Sequence, residues 1–477
     1  MKLLMILGSV WTPPFANDLD AFVPEIWAQE SLMILENNMV AANLVHRDFE
    51  DEIASFGDTV NTRRPAEFAG ARKIDDDEVT TQDATAANVA VRLDQHIHTS
   101  FVIKDGEESK GFSVLREVYL EPAMLSIAQI IDEVVLGNVY QFLTLDDGSP
   151  NVVGQLGVAA TKQSLIGVRE RLNDNKCPQP GRNLILTPGS EGDLLSVDAL
   201  IAADATGDDG TALREASLGR KFGINHWMAQ NTPTIIGGAL VAGIGVGAIN
   251  LAAGYPAGTT VMTVDGYTGA VTTGAYVTIA GDMTPQRVTA HAETLGATTS
   301  ITVFPGLVYP VADNAAIVTY QHALIDFVAG YAAGYTKILT VDTVGVATKV
   351  GQLATFKGGA GLKENFSSVY TVGAPTATKI LVNKALDVAL ADNDVVGLGP
   401  DGNYNWAFHR NALTLVTRPL AAPAAGTGAL SFVASFNGMS MRVTITYDGK
   451  AQGHRVTADM LLGVKVLDRR LGCVMLG

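Results

Sequence analysis

Two imidazoles, His96 and His98, stand two residues apart in an alternating stretch, which puts both on one face of a strand. A pair of this kind begins a metal site. No third ligand stands near them in sequence, so they are read as strand histidines with ordinary partners. Asp75-Asp76-Asp77-Glu78 gathers four carboxylates that would attract a divalent cation weakly. The run lacks the Asp-x-Asp-x-Asp-Gly order of a calcium loop and is read as a solvated loop or a salt-bridge partner for a neighbouring chain. Gly243-Ile244-Gly245-Val246-Gly247-Ala248, with Asp265 further on, has the look of a dinucleotide fingerprint. That motif needs a helix behind it to meet the pyrophosphate, and Gly254, Pro256 and Gly258 break any helix there. The sequence has no phosphate loop, nucleophile elbow or His-Glu-x-x-His. Its residues therefore assign no catalytic, cofactor-binding or metal-binding role and call for no cofactor.

The charge balance agrees with that reading. Against 33 basic residues stand 49 acidic ones, a formal charge of −16, which opposes a nucleic-acid reader and suits a protein that must not cling to DNA. Aromatic residues are 7% of the chain and do not interleave with Arg or Lys, so a stacking platform for single strands is not expected. The two cysteines, Cys177 and Cys473, form no metal or redox spacing and fit a reducing compartment. The apolar run in Met1–Gly8 is short for a secretory segment, and with Trp11, Pro13 and Pro14 it reads as an extended arm. Ile235–Gly254 is uncharged over the length of a membrane span. Its richness in Gly and Ala favours a linker and buried strands instead.

The elements that would position these residues follow from periodicity. Phe22, Ile26, Leu32, Ile34, Met39, Val40 and Leu44 mark an arm helix that needs a partner surface. From Gly57 the chain alternates, passes through a charged span, and alternates again at Val89, Val91 and Leu93, the pattern of a paired β-arm. A helix follows Tyr119-Leu120-Glu121, with Pro122 in its first turn, and is expected to run to about Leu143. Met124, Ile127, Ile131, Val134 and Asn138 form one stripe on it, and Leu125, Ala128, Val135, Val139 and Phe142 another. Asp146-Asp147-Gly148-Ser149-Pro150 turns the chain.

Residues 151–235 alternate helix and strand, with helices over Lys162–Asn173 and Glu191–Ala203 and a buried strand Asn183–Thr187 closed by Pro188-Gly189. Residues 236–402 change to short alternating runs rich in Gly, Thr, Val and Ala, an all-β pattern. An internal repeat runs through them. Val261-Met262-Thr263-Val264-Asp265 matches Ile338-Leu339-Thr340-Val341-Asp342, and Gly274 and Gly281 match Gly351 and Gly358 at the same offset. Ile301, Val303, Leu307 and Ala312-Asp313-Asn314 match Ile380, Val382, Leu386 and Ala391-Asp392-Asn393. Two tandem β-modules are expected, about 255–320 and 332–400. Strand-like runs in 403–477 would complete the sheets begun before residue 236.

An extended excursion followed by a long helix, with Gly57-Asp58-Thr59-Val60, Arg64-Pro65 and Leu93-Asp94-Gln95-His96-Ile97-His98, resembles the major capsid proteins of tailed phages. Arg442-Val443-Thr444 and Asp459-Met460-Leu461-Leu462-Gly463-Val464-Lys465-Val466-Leu467 extend the likeness to the HK97-like, P22-type coat proteins that carry an inserted β-domain. The resemblance implies an α+β fold with an N-terminal arm (1–54), an extended loop (55–96) and a peripheral domain with a spine helix (97–150). An axial domain follows (151–235), then an inserted β-domain (236–402) and a return to the axial and peripheral domains (403–477).

The implied function is a structural one, self-assembly through hexamers and pentamers into an icosahedral shell around the genome. The implied partners are copies of itself, a scaffolding protein, a portal protein and, as an optional addition, a decoration protein. DNA would be met only by weak non-specific contact, with no membrane involved. The place of residence would be the virion, assembled in the host cytoplasm. Arg63, Arg64, Arg72 and Lys73 against Asp75, Asp76, Asp77 and Glu78 would supply intersubunit contacts that fix register. Apolar faces of the arm and the spine helix would be buried between subunits. Lys73 lies where some relatives crosslink, but no carboxylate and Asn context supports that here. The alternative is a secreted or surface-layer β-rich structural or adhesion protein, suggested by the Thr/Gly-rich modules. An enzyme with β accessory modules would need a convergent polar site, which no motif supplies.

Overall fold

The computed structural model describes residues 24–49, 57–64, 72, 87–104, 116–202, 214–232, 234–235, 246–320, 322–335, 338–342, 353–358, 363–371, 376, 378–382, 386, 388–400, 402–424, 429–436 and 439–477. An arm helix, Pro24–Asn38, leads through a short turn of helix at Ala41–Leu44 into β1 (His46–Phe49). Strands β2 (Thr59–Arg64), β3 (Ala87–Arg92) and β4 (Gln95–Lys104) follow. A π-helical turn, Arg116–Leu120, opens the long helix Glu121–Leu136.

Next come β5 (Val152–Val153), helix Lys162–Asp174, β6 (Arg182–Leu186), helix Pro188–Leu195, β7 (Arg220–Lys221), β8 (Ile224–Met228) and β9 (Thr234–Ile235). A first β-module holds β10 (Gly247–Ile249), β11 (Val261–Asp265), β12 (Tyr276–Ile279), β13 (Gln286–Thr294), β14 (Ala297–Phe304) and β15 (Ala316–Thr319). A second holds β16 (His322–Leu324), β17 (Ile338–Thr340), β18 (Leu353–Gly358), β19 (Lys363–Thr371), β20 (Lys379–Leu381) and β21 (Val395–Leu398). The chain ends in β22 (Gly402–His409), β23 (Leu413–Arg418), β24 (Leu430–Phe436), β25 (Met439–Asp448), β26 (Gly453–Val466) and β27 (Gly472–Leu476).

Two sheets organise the chain outside the modules and the β2–β3 pair. One runs β1-β23-β26-β25-β24, with β4 on the other side of β26. The second runs β5-β27-β22-β6-β8-β7, and β9 meets the start of β22. The chain therefore leaves the second sheet at Ile235 and rejoins it at Gly402, where the two residues pair. Alternation along β22 and β27 gives that sheet two apolar faces. Trp406, Phe408, Val474 and Leu476 enter the main core, and Ala407, Cys473 and Met475 enter a smaller core under helices Lys162–Asp174 and Pro188–Leu195. Thr161 caps the first of these helices by a reciprocal bond pair with Ser164. Pro188 lies in the second helix, which begins three residues before the predicted Glu191. It starts the second helix with Thr187 as its cap, where a missing N–H costs nothing.

The arm helix lies on β24, β25 and the long helix, burying Trp27, Ala28, Leu32 and Leu35. The first predicted stripe of the long helix is buried in full, and so are Ala128, Val135, Val139 and Phe142 of the second. Leu125 corrects that stripe: it is exposed, as is Ile130. The main correction concerns what these faces meet, because Leu32 and Met39 of the arm stripe and the first stripe of the long helix are buried in the core of this chain rather than between chains. Nor does the α-helix reach Leu143. It stops at Gly137, and Val139–Phe142 is a tighter 3₁₀ turn. Asn138 donates to the Val134 carbonyl at 2.8 Å and accepts from Gln141 at 2.9 Å, bonds that compete with the helical ladder. The α-helical part is thus about 24 Å long. The span Val118–Phe142 is long and apolar enough to cross a membrane, yet 72% of its most apolar window is buried in the protein.

Both modules begin one strand earlier than the sequence repeat suggested, at Gly247 and His322. The first is a closed six-stranded barrel, β10-β11-β14-β13-β12-β15. The second repeats its β10–β15, β11–β14, β12–β13 and β12–β15 pairings as β16–β21, β17–β20, β18–β19 and β18–β21. Single bridges match as well: Tyr255 pairs Val311, and Tyr331 pairs Leu390. Asn314 and Asn393 take positive φ, 59° and 65°, at the same turn. Of the uncharged stretch 235–254, Gly247–Ile249 is a barrel strand, and 236–245 lie outside the described residues.

Candidate assembly surfaces

β2 and β3 form a two-stranded ribbon in register from Thr59 opposite Arg92 to Arg64 opposite Ala87. Neither strand pairs with another among the described residues. Its root is fixed. The Gly57 N–H donates to the Leu93 carbonyl at 2.8 Å, and the Leu93 N–H donates to the Asp58 carbonyl at 2.9 Å. Val91 and Leu93 are buried with Val416 and Leu461 on the sheet face opposite the helices. The second module abuts the same root, since a Cβ on Gly334 would fall 2.3 Å from the Arg92 guanidinium.

Arg63 and Arg64 lie on β2, opposite Asn88 and Ala87. Arg72 is exposed. Lys73 and Asp75, Asp76, Asp77 and Glu78 lie outside the described residues. Of the proposed charge set, the described residues thus include Arg63, Arg64 and Arg72.

His96 and His98 share the outer face of β4, with ring centroids 6.3 Å apart. Asp459 lies opposite His98 in register and 3.5 Å from His96 Nε2. Arg442 takes the same carboxylate in a fork, its Nε donating to Oδ1 at 3.0 Å and its Nη2 to Oδ2. The histidines thus sit in a polar network already neutralised by an Arg–carboxylate pair. No group of three potential metal ligands occurs among the described residues.

A second carboxylate escaped the sequence reading. Asp132 is buried on the long helix, between the apolar positions Ala128 and Val135. It accepts the Val40 N–H at 2.9 Å and the Ala42 N–H at 3.1 Å, capping the helical turn Ala41–Leu44 from outside. Burial pushes its carboxyl above the usual carboxylate range, against the opposing pull of those amide bonds. A charged residue in the middle of an apolar stripe was the available signal. It ties the arm to the long helix.

Asp282 plays a similar part in the first barrel. Buried, it accepts from Gln286 at 2.6 Å, Thr284 at 3.0 Å and the Val308 and Tyr309 amides at 3.2 Å each. Burial raises its carboxyl too. The loop it holds presents Tyr309, whose hydroxyl accepts the Gly154 N–H at 3.0 Å, and Met283 accepts the Leu156 N–H at 3.1 Å. The barrel is thereby seated on the second sheet, beside a cleft of about 420 Å³ lined by Val153, Thr161, Ser164, Arg171, Val308 and Tyr309. Cys177 and Cys473 are both buried thiols, and burial pushes Cys473 up to about 12, so neither is poised as a nucleophile.

No protein-family model and no curated protein sequence matches the chain. Among solved structures it is similar to one from Mycobacterium phage Che8, with 12% identity, 92% of this chain and 90% of that one covered, and a TM-score of 0.40. It is also similar to the capsid structure of the cyanophage P-SCSP1u, with 12% identity, coverage of 98% and 93%, and a TM-score of 0.41. The asymmetric unit of the bacteriophage PhiM1 mature capsid gives 8% identity, coverage of 100% and 92%, and a TM-score of 0.39.

Proposed function

We propose that this chain is a tailed-phage major capsid protein of the HK97-like fold, a structural rather than catalytic protein that assembles with its own copies into an icosahedral shell. The observation that carries the reading is the ribbon β2–β3, rooted in the sheet and paired with no other strand among the described residues. Beyond its packed root a two-stranded ribbon is marginal in water, which favours a neighbouring surface that stabilises it. A second copy supplies that surface in a closed assembly. The sequence likeness at Gly57–Val60, Leu93–His98 and Asp459–Leu467 falls on the ribbon root, on β4 and on β26, the strands that hold the ribbon.

In this reading 1–54 is the arm and 55–96 the loop laid over a neighbour. Residues 97–150 are the peripheral domain, and 151–235 with part of 403–477 are the axial domain around hexamer and pentamer centres. The doubled module 236–402 is an insertion. Arg63, Arg64, Arg72 and Lys73 meet Asp75–Glu78 of the next subunit. A scaffolding protein, a portal and a decoration protein are the further partners, and the charge of −16 keeps packaged DNA at arm's length. The virion is the place of residence, after assembly in the host cytoplasm.

Replacing residues 65–86 by a short Gly-containing turn tests the role of the segment that the ribbon carries. The shortened protein should keep its melting temperature and form no large particles by light scattering under conditions where the full chain does. Particles of unchanged size would refute the assignment.

A further inference from the structure

The two modules repeat one loop, identical at five of eight positions. Leu251-Ala252-Ala253-Gly254-Tyr255-Pro256-Ala257-Gly258 corresponds to Phe327-Val328-Ala329-Gly330-Tyr331-Ala332-Ala333-Gly334. The fold explains three of these eight pairs. Gly254 and Gly330 take φ of +65° and +64°, and a Cβ there would lie 2.3 and 2.4 Å from the carbonyl oxygens of Val311 and Leu390. The hydroxyls of Tyr255 and Tyr331 each accept an amide N–H at 2.8 Å, from Thr263 and Thr340. Gly258 and Gly334 again take positive φ.

Folding explains the rest only in part, through the Phe327 ring stacked on Tyr331 with centroids 4.9 Å apart. Ala252, Ala253, Pro256 and Ala257 are exposed, as are Val328, Ala329, Ala332 and Ala333. Leu251 and Phe327 are 39% and 43% exposed, and Val261 and Ile338, on the strands that follow, 56% and 48%. Elsewhere the copies have drifted. Tyr276 pairs Arg287 in the first module, whereas the corresponding Leu353 pairs Thr371 in the second. An apolar surface kept twice on solvent-facing positions marks a shared contact.

The charges beside it are also shared. Asp313 and Asp392 accept the Leu251 and Phe327 N–H at 3.1 Å each, and Asp265 and Asp342, both exposed, end the following runs. Lys379, opposite Thr340, is particular to the second module. We propose that each module docks an apolar segment flanked by Lys or Arg, presented by a separate protein, so that one chain offers two related sites. A second copy of this chain fits less well, since patch on patch would set Asp against Asp on a subunit of charge −16. Paired sites on one chain would let a dimeric or tandem partner bind with avidity.

The test selects a displayed random-peptide library on the full chain and titrates the enriched peptide by calorimetry. Enriched sequences should carry an apolar centre with basic flanks and bind two per chain. Leu251→Asp and Phe327→Asp should each remove one site, the double variant both, and Leu295→Asp, on the β13–β14 turn, neither. Should Phe327→Asp lower the melting temperature, the more exposed Val328→Asp takes its place. Enrichment of acidic or uncharged peptides, no enrichment, or binding indifferent to these changes would overturn the proposal. So would self-association of the wild type that the double variant abolishes, which would make the patches a contact between copies.

Discussion

Replacing Asp132 by Ala would remove a buried carboxylate that reaches from the middle of the long helix to the start of the turn Ala41–Leu44. Two amide donors, those of Val40 and Ala42, lose a carboxylate held at 2.9 and 3.1 Å in a site closed to water. Charge-assisted bonds of this kind are worth about 1.5–3 kcal/mol each, and relief from burying the carboxylate returns part of the loss. The net cost is about 2–4 kcal/mol, concentrated where the arm meets the helix. Hydrogen exchange over residues 39–49 reads it directly, because local opening should become roughly 30- to 900-fold more frequent. Exchange in the β22–β27 region should hardly change. Asp132→Asn keeps one acceptor and turns a donor toward the other amide, so it should fall between the two. Unchanged protection at 39–49 in Asp132→Ala would refute the idea that this carboxylate locks the arm.

The same carboxyl sets a pH dependence. Its folded-state pKa lies above the ordinary 3.8, so the folded state holds the proton more tightly than the unfolded chain. Relative to Asp132→Asn, the wild type should therefore gain stability as pH falls through the folded pKa toward 3.8, and lose it as pH rises; denaturant titrations of both at several pH values give the sign. Gly330→Ala and Gly254→Ala each force a Cβ against a carbonyl oxygen at positive φ, and each should destabilise its own module by roughly 1–3 kcal/mol or more. Limited proteolysis should show cleavage confined to that module. Leu93→Ala, in the small buried cluster under the ribbon, should cost about 2–5 kcal/mol and loosen the ribbon root first, as seen by exchange at Gly57 and Leu93. Arg63→Glu with Arg64→Glu should leave the melting temperature unchanged and abolish particle growth in light scattering.

Strands and helices with a clean period were legible in the sequence. Alternation at Val89, Val91 and Leu93 found β3, and the stripe from Met124 to Val134 found the buried face of the long helix. What failed did so for local reasons. Gly137 and the self-bonding Asn138 changed the helix into a tighter turn that periodicity cannot see. The first strands of the modules, Gly247–Ile249 and His322–Leu324, are too short to alternate and are recognised only by their pairing. The arm helix's apolar face was assigned to a neighbour because a sequence does not say that β24 and β25, about four hundred residues on, return to cover it. The charged tip of the ribbon remains a sequence-level expectation, since Lys73 and Asp75–Glu78 lie outside the described residues.

The shell itself is the central claim, and negative-stain electron microscopy of the purified full chain, alone and co-expressed with a candidate scaffolding protein, tests it most directly. Closed shells, or rings of five and six subunits, are the predicted result. A monodisperse monomer under both conditions would contradict it and return the Thr/Gly-rich modules to the reading of a secreted β-rich surface protein.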